Sequence, residues 1–347
     1  MSLQETISQV REFLLAPRSA RLALLAGAGL YEAGETELAV AVWTLGDDGN
    51  GRVRRVKDNL SAPAEGRQRS RLADATLCGF LTRLHQVAVD EFEAQSGAAV
   101  ERVRMGIWPL THDTKEKFRA PMQRPLIFYM PDLPAAEVEP NSAFPWVDSL
   151  EAASGAIRDE YESSMGVGAD VRPYVPEDTN APSWEQLRGS LDWSAIHLYQ
   201  DAKATPMLER FPQTSEALRA VDLARIDGVP MEVFFSRLKA GAHIPPHNGL
   251  TNTRVTVHLP LIVPGDCEIR VGTHLHQWQQ DKIFAFDDSF EHEAWNRSDA
   301  DRVVLIFEAY HPDLSLLERE AIEHAFTVRQ RWLDSRTQLI KDWLARK

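Results

Sequence analysis

Residues 254–262 read RVTVHLPLI and form the most regular alternation in the chain. The polar positions are Arg254, Thr256 and His258, and the residues between and after them are Val255, Val257, Leu259 and Leu261. This period of two predicts a β-strand with one apolar and one polar face. If the polar face lines the inside of a barrel, it brings a guanidinium, a hydroxyl and an imidazole to one cavity.

Further strands are predicted around this segment. The apolar and β-branched stretches that read as strands are Leu126–Met130, Ala195–Tyr199, Met231–Leu238, Ile283–Phe286 and Arg302–Phe307. Turn-forming residues follow at 264–266 and 287–289. Short strands at a spacing of about ten residues favour a small sandwich or barrel.

The histidines are concentrated in the same region, with seven of the eleven lying between His243 and His311. Histidine is the commonest metal ligand in proteins, although a single histidine in a strand is more often a core or surface side chain. His247 and His292 each lie just beyond a predicted strand, where two imidazoles at a barrel mouth would hold a first-row metal. The usual two-histidine-one-carboxylate site has its carboxylate two residues after the first histidine, but here that position is Gly249.

The order of several motifs resembles a known family. HNGLTNTR, VHLPL, CEIRV, FDDSFEHEAW and YHPDLSLLER follow one another as in the aspartyl/asparaginyl β-hydroxylases. The resemblance is close over residues 231–320, weaker over 125–230 and faint before that. It implies an α+β chain in which a helical N-terminal domain precedes a double-stranded β-helix (jelly-roll, cupin-like) catalytic core.

The resemblance also implies cofactors and the residues that hold them. Members of this family are Fe(II)- and 2-oxoglutarate-dependent oxygenases that use O2, and they carry glycine at the position of Gly249. His247 and His292 match the iron ligands. Arg302 and Ser236 match the residues that bind the distal carboxylate of 2-oxoglutarate, and His258 matches a histidine near its other end.

Substrate contacts are implied in the same way. Arg254 matches an arginine that faces the acidic substrate, whereas Thr256 replaces a second arginine of the animal enzymes. A cationic partner for the cosubstrate or the substrate is therefore missing, and Arg270 is the candidate to replace it. The implied partner is a small molecule or peptide with an acidic or amide side chain.

The function that follows is hydroxylation of an unactivated carbon, by resemblance the β-carbon of an aspartyl or asparaginyl unit. Two alternatives remain open from the residues. The absence of a side chain at Gly249 permits a halogenase with chloride as a ligand, and the helical and jelly-roll parts together permit a binding module without turnover.

Bulk properties exclude other classes. The formal net charge of −13 with no basic run argues against a nucleic-acid partner. No apolar run approaches about 18 residues, so no membrane span is expected. Cys78 and Cys267 lie far apart and match no zinc or disulfide framework, which favours a reducing cytoplasm.

The sequence predicts three parts: a helical domain at residues 1–110, an oxygenase domain at 111–330 and a C-terminal helix at 331–347. Helices at 20–30 and 36–45 faintly resemble one tetratricopeptide unit, but plain helical packing explains them better. Residues 46–66 are expected to form a loop. The closing segment at 316–347 is predicted to form one or two helices and is a candidate contact for the core or for a second subunit in a homodimer. The carboxylates of Asp287 and Asp288 could bind a metal, but turn capping explains them better.

Overall fold

Residues 2–47, 51–112, 118–165, 170–179 and 181–347 are described by a computed structural model of the chain. The chain divides into two compact units. The first comprises residues 1–100, 110–115 and 324–347, and the second comprises residues 101–109 and 116–323.

The first unit is helical throughout its described residues. Its helices are α1 (Leu3–Leu15), α2 (Ala20–Glu32), α3 (Thr36–Asp47), α4 (Arg52–Arg55) and α5 (Ala64–Ser96), joined by the distal part of the last helix of the chain. A capping box starts α1, because the Ser2 hydroxyl accepts from Glu5 N–H and the Glu5 carboxylate accepts from Ser2 N–H. The predicted helices at 20–30 and 36–45 are confirmed. The predicted loop at 46–66 instead contains α4, and residues 48–50 lie outside the described residues.

The last helix agrees with the closing helix predicted at 316–347 and begins ahead of the part boundary predicted at residue 331. It spans Leu316–Ala345, and its residues from 324 onward cluster with the N-terminal helices instead of forming a separate part at 331–347. Trp332 and Trp343 are buried in the core of that unit, and their indole N–H groups donate to Glu37 and Glu35. Burying two indoles with satisfied donors explains this grouping.

The second unit contains the remaining helices and all strands of the described chain. The helices are α6 (Glu101–Arg104), α7 (Val147–Met165) and α8 (Pro212–Ala217). The strands are β1 (Val138–Glu139), β2 (Arg172–Pro173), β3 (Trp193–Gln200), β4 (Lys203–Ala204), β5 (Arg225–Ile226), β6 (Val229–Pro230), β7 (Val233–Leu238), β8 (His243–His247), β9 (Arg254–Ile262), β10 (Cys267–Val271), β11 (His274–Gln277), β12 (Phe284–Phe286), β13 (His292–Asn296) and β14 (Arg302–Tyr310).

Two antiparallel sheets form the jelly roll. The larger has the order β1-β12-β9-β14-β7-β3-β2, with β4 added at β3, and the smaller has the order β11-β10-β13-β8. Neighbours in each sheet are often distant in sequence, as when β9 pairs with β14 and β12. This strand order confirms the double-stranded β-helix core and the helical N-terminal region that the sequence predicts.

The alternation along β9 places its two faces as predicted. Val255, Val257, Leu259 and Leu261 lie in a buried cluster with Ile157 and Tyr161 of α7, on the outer face of the larger sheet. The intervening Thr256 and His258 line a pocket on its inner face. An apolar row against a helix and a polar row inside therefore come from one period-2 pattern.

One predicted strand is absent. Residues 126–130 form no ladder and make only isolated bridges, Phe128 with Thr251 and Tyr129 with Ile107. Prolines at 125 and 131 bracket the segment, and proline has no N–H to donate to a ladder. In the described part of the chain, no helix is both long enough and apolar enough to cross a bilayer.

Candidate active site

The two histidines singled out by the sequence meet across the smaller sheet. His247 ends β8 and His292 begins β13, and the two residues are direct partners in the register of these strands. Their ring centroids are 4.0 Å apart. Antiparallel pairing thus brings together two imidazoles that are 45 residues apart in the chain.

Both imidazoles are held in the same tautomer. Nδ1 of His247 lies 2.8 Å from the carbonyl oxygen of Pro245, and Nδ1 of His292 lies 3.0 Å from that of Phe290. A carbonyl oxygen can only accept, so each Nδ1 carries the proton and each Nε2 keeps its lone pair. Burial, followed by the charge that His292 would carry, lowers the pKa of His247 to about 3, and burial lowers the pKa of His292 to about 4. Both rings are therefore neutral near pH 7 and suited to bind a cation.

A buried guanidinium lies in the same pocket. Arg302, at the start of β14, is 1% exposed, and its Nε and Nη1 have no hydrogen-bond partner among the described residues. Its guanidinium carbon lies 4.5 Å from the ring centroid of Trp278. Burial lowers the pKa of Arg302 to about 10, so it still carries its charge at neutral pH. A buried cation with unused donors calls for an anionic ligand.

Two neighbours complete the polar surroundings of Arg302. The Nδ1 atom of His258 is also buried without a partner among the described residues, and burial followed by the charge of Arg302 lowers the pKa of His258. The fully buried Ser236 hydroxyl accepts from Trp193 Nε1 at 3.0 Å, which leaves its own O–H free to donate. Arg302, His258 and Ser236 all line the pocket that contains the two histidines.

Asp288, for which the sequence suggested a turn cap, lines the pocket. Its carboxylate accepts from the Thr256 hydroxyl at 2.9 Å and fills the space beside Gly249, where a Cβ atom would collide with it. Burial raises the pKa of Asp288 to about 6. The interpretation as a turn cap fits only Asp287, which accepts from Ser289 N–H at 2.9 Å. The glycine two residues after His247 was a signal for this carboxylate, because a missing side chain leaves room for another group.

The two arginines expected at the substrate are differently placed. Arg254 is buried, and its Nη1 donates to the Glu308 carboxylate at 2.6 Å. Arg270 donates to Glu291 at 2.8 Å and to Glu293 at 2.7 Å, and it is not among the residues that line the pocket. The structure therefore brings five of the seven predicted residues together in the pocket lining, and neither Arg254 nor Arg270 is part of that lining.

The pocket has a volume of about 370 Å3. Its lining includes His247 and His292 together with aromatic rings and carboxylates. Within the described residues, no group of three or more His, Cys, Asp or Glu side chains could hold a metal ion. A metal at the two Nε2 atoms would therefore have two protein ligands and would take its other ligands from oxygen donors outside the protein.

The residues present fit an iron ion and a dicarboxylate cosubstrate. Two neutral imidazoles with free Nε2 lone pairs suit a first-row divalent metal. The unpartnered Nε and Nη1 of Arg302 leave buried cationic donors for an anionic ligand such as a carboxylate, and the hydroxyl of Ser236 supplies a further donor.

Strand order and pocket together define the class: a jelly-roll protein with a two-histidine site and a buried arginine in its interior. Within that class, residues 151–312 match the family model described as Aspartyl/Asparaginyl beta-hydroxylase. The family resemblance seen in the sequence is thereby confirmed over this segment.

Three curated relatives illustrate the match. Human "Aspartyl/asparaginyl beta-hydroxylase" is 32% identical over 188 residues, which cover 51% of this chain and 22% of the human protein. "Aspartate beta-hydroxylase domain-containing protein 2" of Xenopus tropicalis is 29% identical over 60% of this chain and 56% of the relative. "Ornithine lipid ester-linked acyl 2-hydroxylase" of Rhizobium tropici is 30% identical over 50% of this chain and 59% of the relative. The chain thus spans less than two thirds of the length of each of these relatives.

Proposed function

We propose that the chain is an Fe(II)- and 2-oxoglutarate-dependent dioxygenase that hydroxylates an unactivated carbon. The observation that carries this proposal is the common pocket of two neutral histidines and an unpartnered buried guanidinium. The family match supports hydroxylation, because the relatives bear the names of hydroxylases.

Each residue has a defined task in this proposal. His247 and His292 hold the metal through Nε2, and the carbonyl oxygens of Pro245 and Phe290 fix the orientation of the rings. Bound iron(II) together with 2-oxoglutarate would activate O2 for insertion of an oxygen atom into a C–H bond. Arg302 anchors the distal carboxylate of the cosubstrate, since a charge-assisted pair fixes the orientation of the carboxylate and balances its negative charge.

Two other groups support the anchor. Ser236 donates its hydroxyl to the same carboxylate while Trp193 holds the serine oxygen from the other side. His258 lies on the neighbouring strand, and its buried Nδ1 is left for the other end of the cosubstrate. Apolar walls from Ile269, Phe286 and Ala294 exclude water from the centre.

The halogenase alternative is disfavoured by the surroundings of Gly249. The space that its missing side chain leaves is filled by the carboxylate of Asp288. A negative group at that place repels a halide, and the buried position strengthens the repulsion. Products formed in the presence of chloride, read by mass spectrometry, test this point.

The experiment is an anaerobic titration of iron(II), with and without 2-oxoglutarate, in the wild type and three variants. His247→Ala and His292→Ala should each lose metal binding, whereas His258→Ala should retain it. Iron affinity of the wild type should rise when 2-oxoglutarate is present, because the cosubstrate adds oxygen ligands and negative charge. Loss of metal in His258→Ala with retention in His247→Ala would show that the ligands are misassigned. No metal binding in the wild type would favour a binding module instead.

The carbon that is hydroxylated belongs to the same proposal. The names of the relatives span aspartyl, asparaginyl and acyl substrates, so the β-carbon of an aspartyl or asparaginyl unit is the first candidate among several. Succinate release measured across a library of small molecules and peptides identifies the substrate.

A further inference from the structure

The outer walls of the pocket are rich in carboxylates. Glu232, Asp288 and Glu308 all line it, whereas Arg302 is the one lysine or arginine lining it among the described residues. The pocket is a ligand site independently of these acids, because Arg302 is 1% exposed and presents donors that have no partner in the described chain. The negative charge of these acids bears on the charge of the substrate that the pocket would bind.

Two of the three acids raise the pKa of the third, and the acids outnumber the cationic side chains that pair with them. Arg254 pairs with Glu308 at 2.6 Å, yet burial and the charges of Asp288 and Glu232 still raise the pKa of Glu308 to about 7. Burial and the charges of Glu232, Glu308 and Asp288 also raise the pKa of the Tyr174 hydroxyl. The three acids and the Tyr174 hydroxyl therefore lie close together, in a region of the pocket that the acids make negative.

The hydrogen-bond partners of the two other acids are neutral groups. Asp288 accepts from the Thr256 hydroxyl, and Glu232 accepts from the backbone N–H of Asp201 at 3.0 Å. The nearby His197 has its Nδ1 3.4 Å from the Glu232 carboxylate, beyond the distance of a good hydrogen bond for this pair. With Arg302 used by the cosubstrate, Arg254 is left to face three acids. Its charge lowers the pKa of both Glu308 and Asp288, so one cation offsets at most one of the three carboxylate charges.

Aromatic rings face the same space. Tyr174 stacks on Trp193 with centroids 3.9 Å apart, and His197 stacks on Phe234 at 5.0 Å. Trp184 lies 5.8 Å from Trp193 and lines the pocket too. Aromatic faces combined with carboxylates attract organic cations, because both place negative potential on the ligand.

We infer that the substrate carries a cationic nitrogen, an ammonium or guanidinium group, that binds between these rings and the carboxylates of Glu232 and Asp288. This inference rests on the proposed function, in which Arg302 belongs to the cosubstrate. It departs from the sequence-based expectation of an acidic or amide group, which the family resemblance implies and in which Arg254 faces the substrate. The structure pairs Arg254 with Glu308 instead.

Matched pairs of compounds that differ only in charge test the inference. L-Arginine and L-citrulline form one pair, L-lysine and its ε-acetyl derivative form another, and L-aspartate and L-asparagine represent the earlier expectation. Binding is measured by calorimetry on protein loaded anaerobically with iron(II) and 2-oxoglutarate. Quenching of tryptophan fluorescence is measured in parallel on the protein without metal or cosubstrate, since Trp184 and Trp193 line the site. In at least one pair the cationic member should bind at least about tenfold more tightly than its neutral partner.

Variants connect this preference to the acids. Glu232→Gln and Thr256→Arg should each reduce the preference for the cationic compound by about tenfold, the first by removing a charge and the second by neutralising Asp288. Glu216→Gln is the matched control, because this acid is exposed and pairs with Arg219 outside the pocket.

The outcomes separate the two proposals. If 2-oxoglutarate binds but the neutral or acidic compounds bind as well as the cationic ones, the cationic substrate is refuted and the proposed function stands. Absence of binding by every cationic compound would refute it as well. If the wild type fails to bind 2-oxoglutarate, the proposed function is refuted, and the fluorescence titration still decides the charge preference.

Discussion

Replacement of Arg302 by methionine should stabilise the protein in the absence of cosubstrate and remove its response to 2-oxoglutarate. Arg302 is 1% exposed and its Nε and Nη1 lack partners in the described chain, so its charge is buried without compensation. Methionine fills a similar volume with an unbranched apolar chain. The variant therefore removes the charge and keeps most of the packing against Trp278.

The expected increase in the free energy of unfolding follows from the pKa of Arg302. Burial lowers the pKa of Arg302 from 12.5 to about 10, and since one pKa unit is worth about 1.4 kcal/mol, the buried charge costs about 3 kcal/mol of stability. The cost applies at every pH below about 10, where the folded guanidinium keeps its proton. The cation–π contact between Arg302 and the Trp278 ring offsets about 1–2 kcal/mol of this cost. The free energy of unfolding should thus rise by about 1–2 kcal/mol in Arg302→Met.

The assay is equilibrium urea unfolding followed by tryptophan fluorescence, performed anaerobically with iron(II), with and without 2-oxoglutarate. A ligand at 100 times its Kd stabilises by about 2.7 kcal/mol, and this increment should appear in the wild type and vanish in the variant. Arg297→Met is the control, because Arg297 is half exposed and pairs with Glu268. A less stable Arg302→Met protein would refute the uncompensated charge, and an unchanged response to 2-oxoglutarate would refute the anchor.

Two further predictions concern the carboxylates. Gly249→Ala should lower the free energy of unfolding by about 1–3 kcal/mol, since its Cβ would collide with the Asp288 carboxylate; Gly155→Ala, in the middle of α7 with open space around it, should stabilise slightly under the same urea assay. Glu308 has its pKa raised from 4.5 to about 7, so its contribution to stability is present below about pH 4.5 and is lost as the pH rises through about 7. Unfolding curves at a series of pH values should therefore be flatter for Glu308→Gln over this range, and equal slopes would contradict the raised pKa.

The strands were predictable because their signal is local. The alternation of residues 254–262 fixes which side chains share a face, whatever the rest of the chain does. That is why Thr256 and His258 were expected inside a cavity and are found there. The prediction of a strand at residues 126–130 was wrong because the N–H groups of this segment donate to separate parts of the chain, near residues 107 and 249–252, and so form only isolated bridges.

The pair of histidines was predictable for a related reason. His247 and His292 each adjoin a strand, and glycine two residues after the first histidine made a two-ligand site the natural hypothesis. The register that places the two rings 4.0 Å apart came only with the structure. Pairing between strands depends on the path of the whole chain, which no short motif specifies.

The sequence by itself thus determined the strand faces, the histidines of the candidate site and the resemblance to a hydroxylase family. Only the tertiary structure decided which charges meet. Asp287 and Asp288 are adjacent and alike in sequence, yet one caps a turn and the other lines the pocket beside Gly249. Arg254 pairs with Glu308, which is 54 residues away in the chain. Electrostatic balance is a sum over groups that are close in space, so it can be evaluated only after the chain has folded.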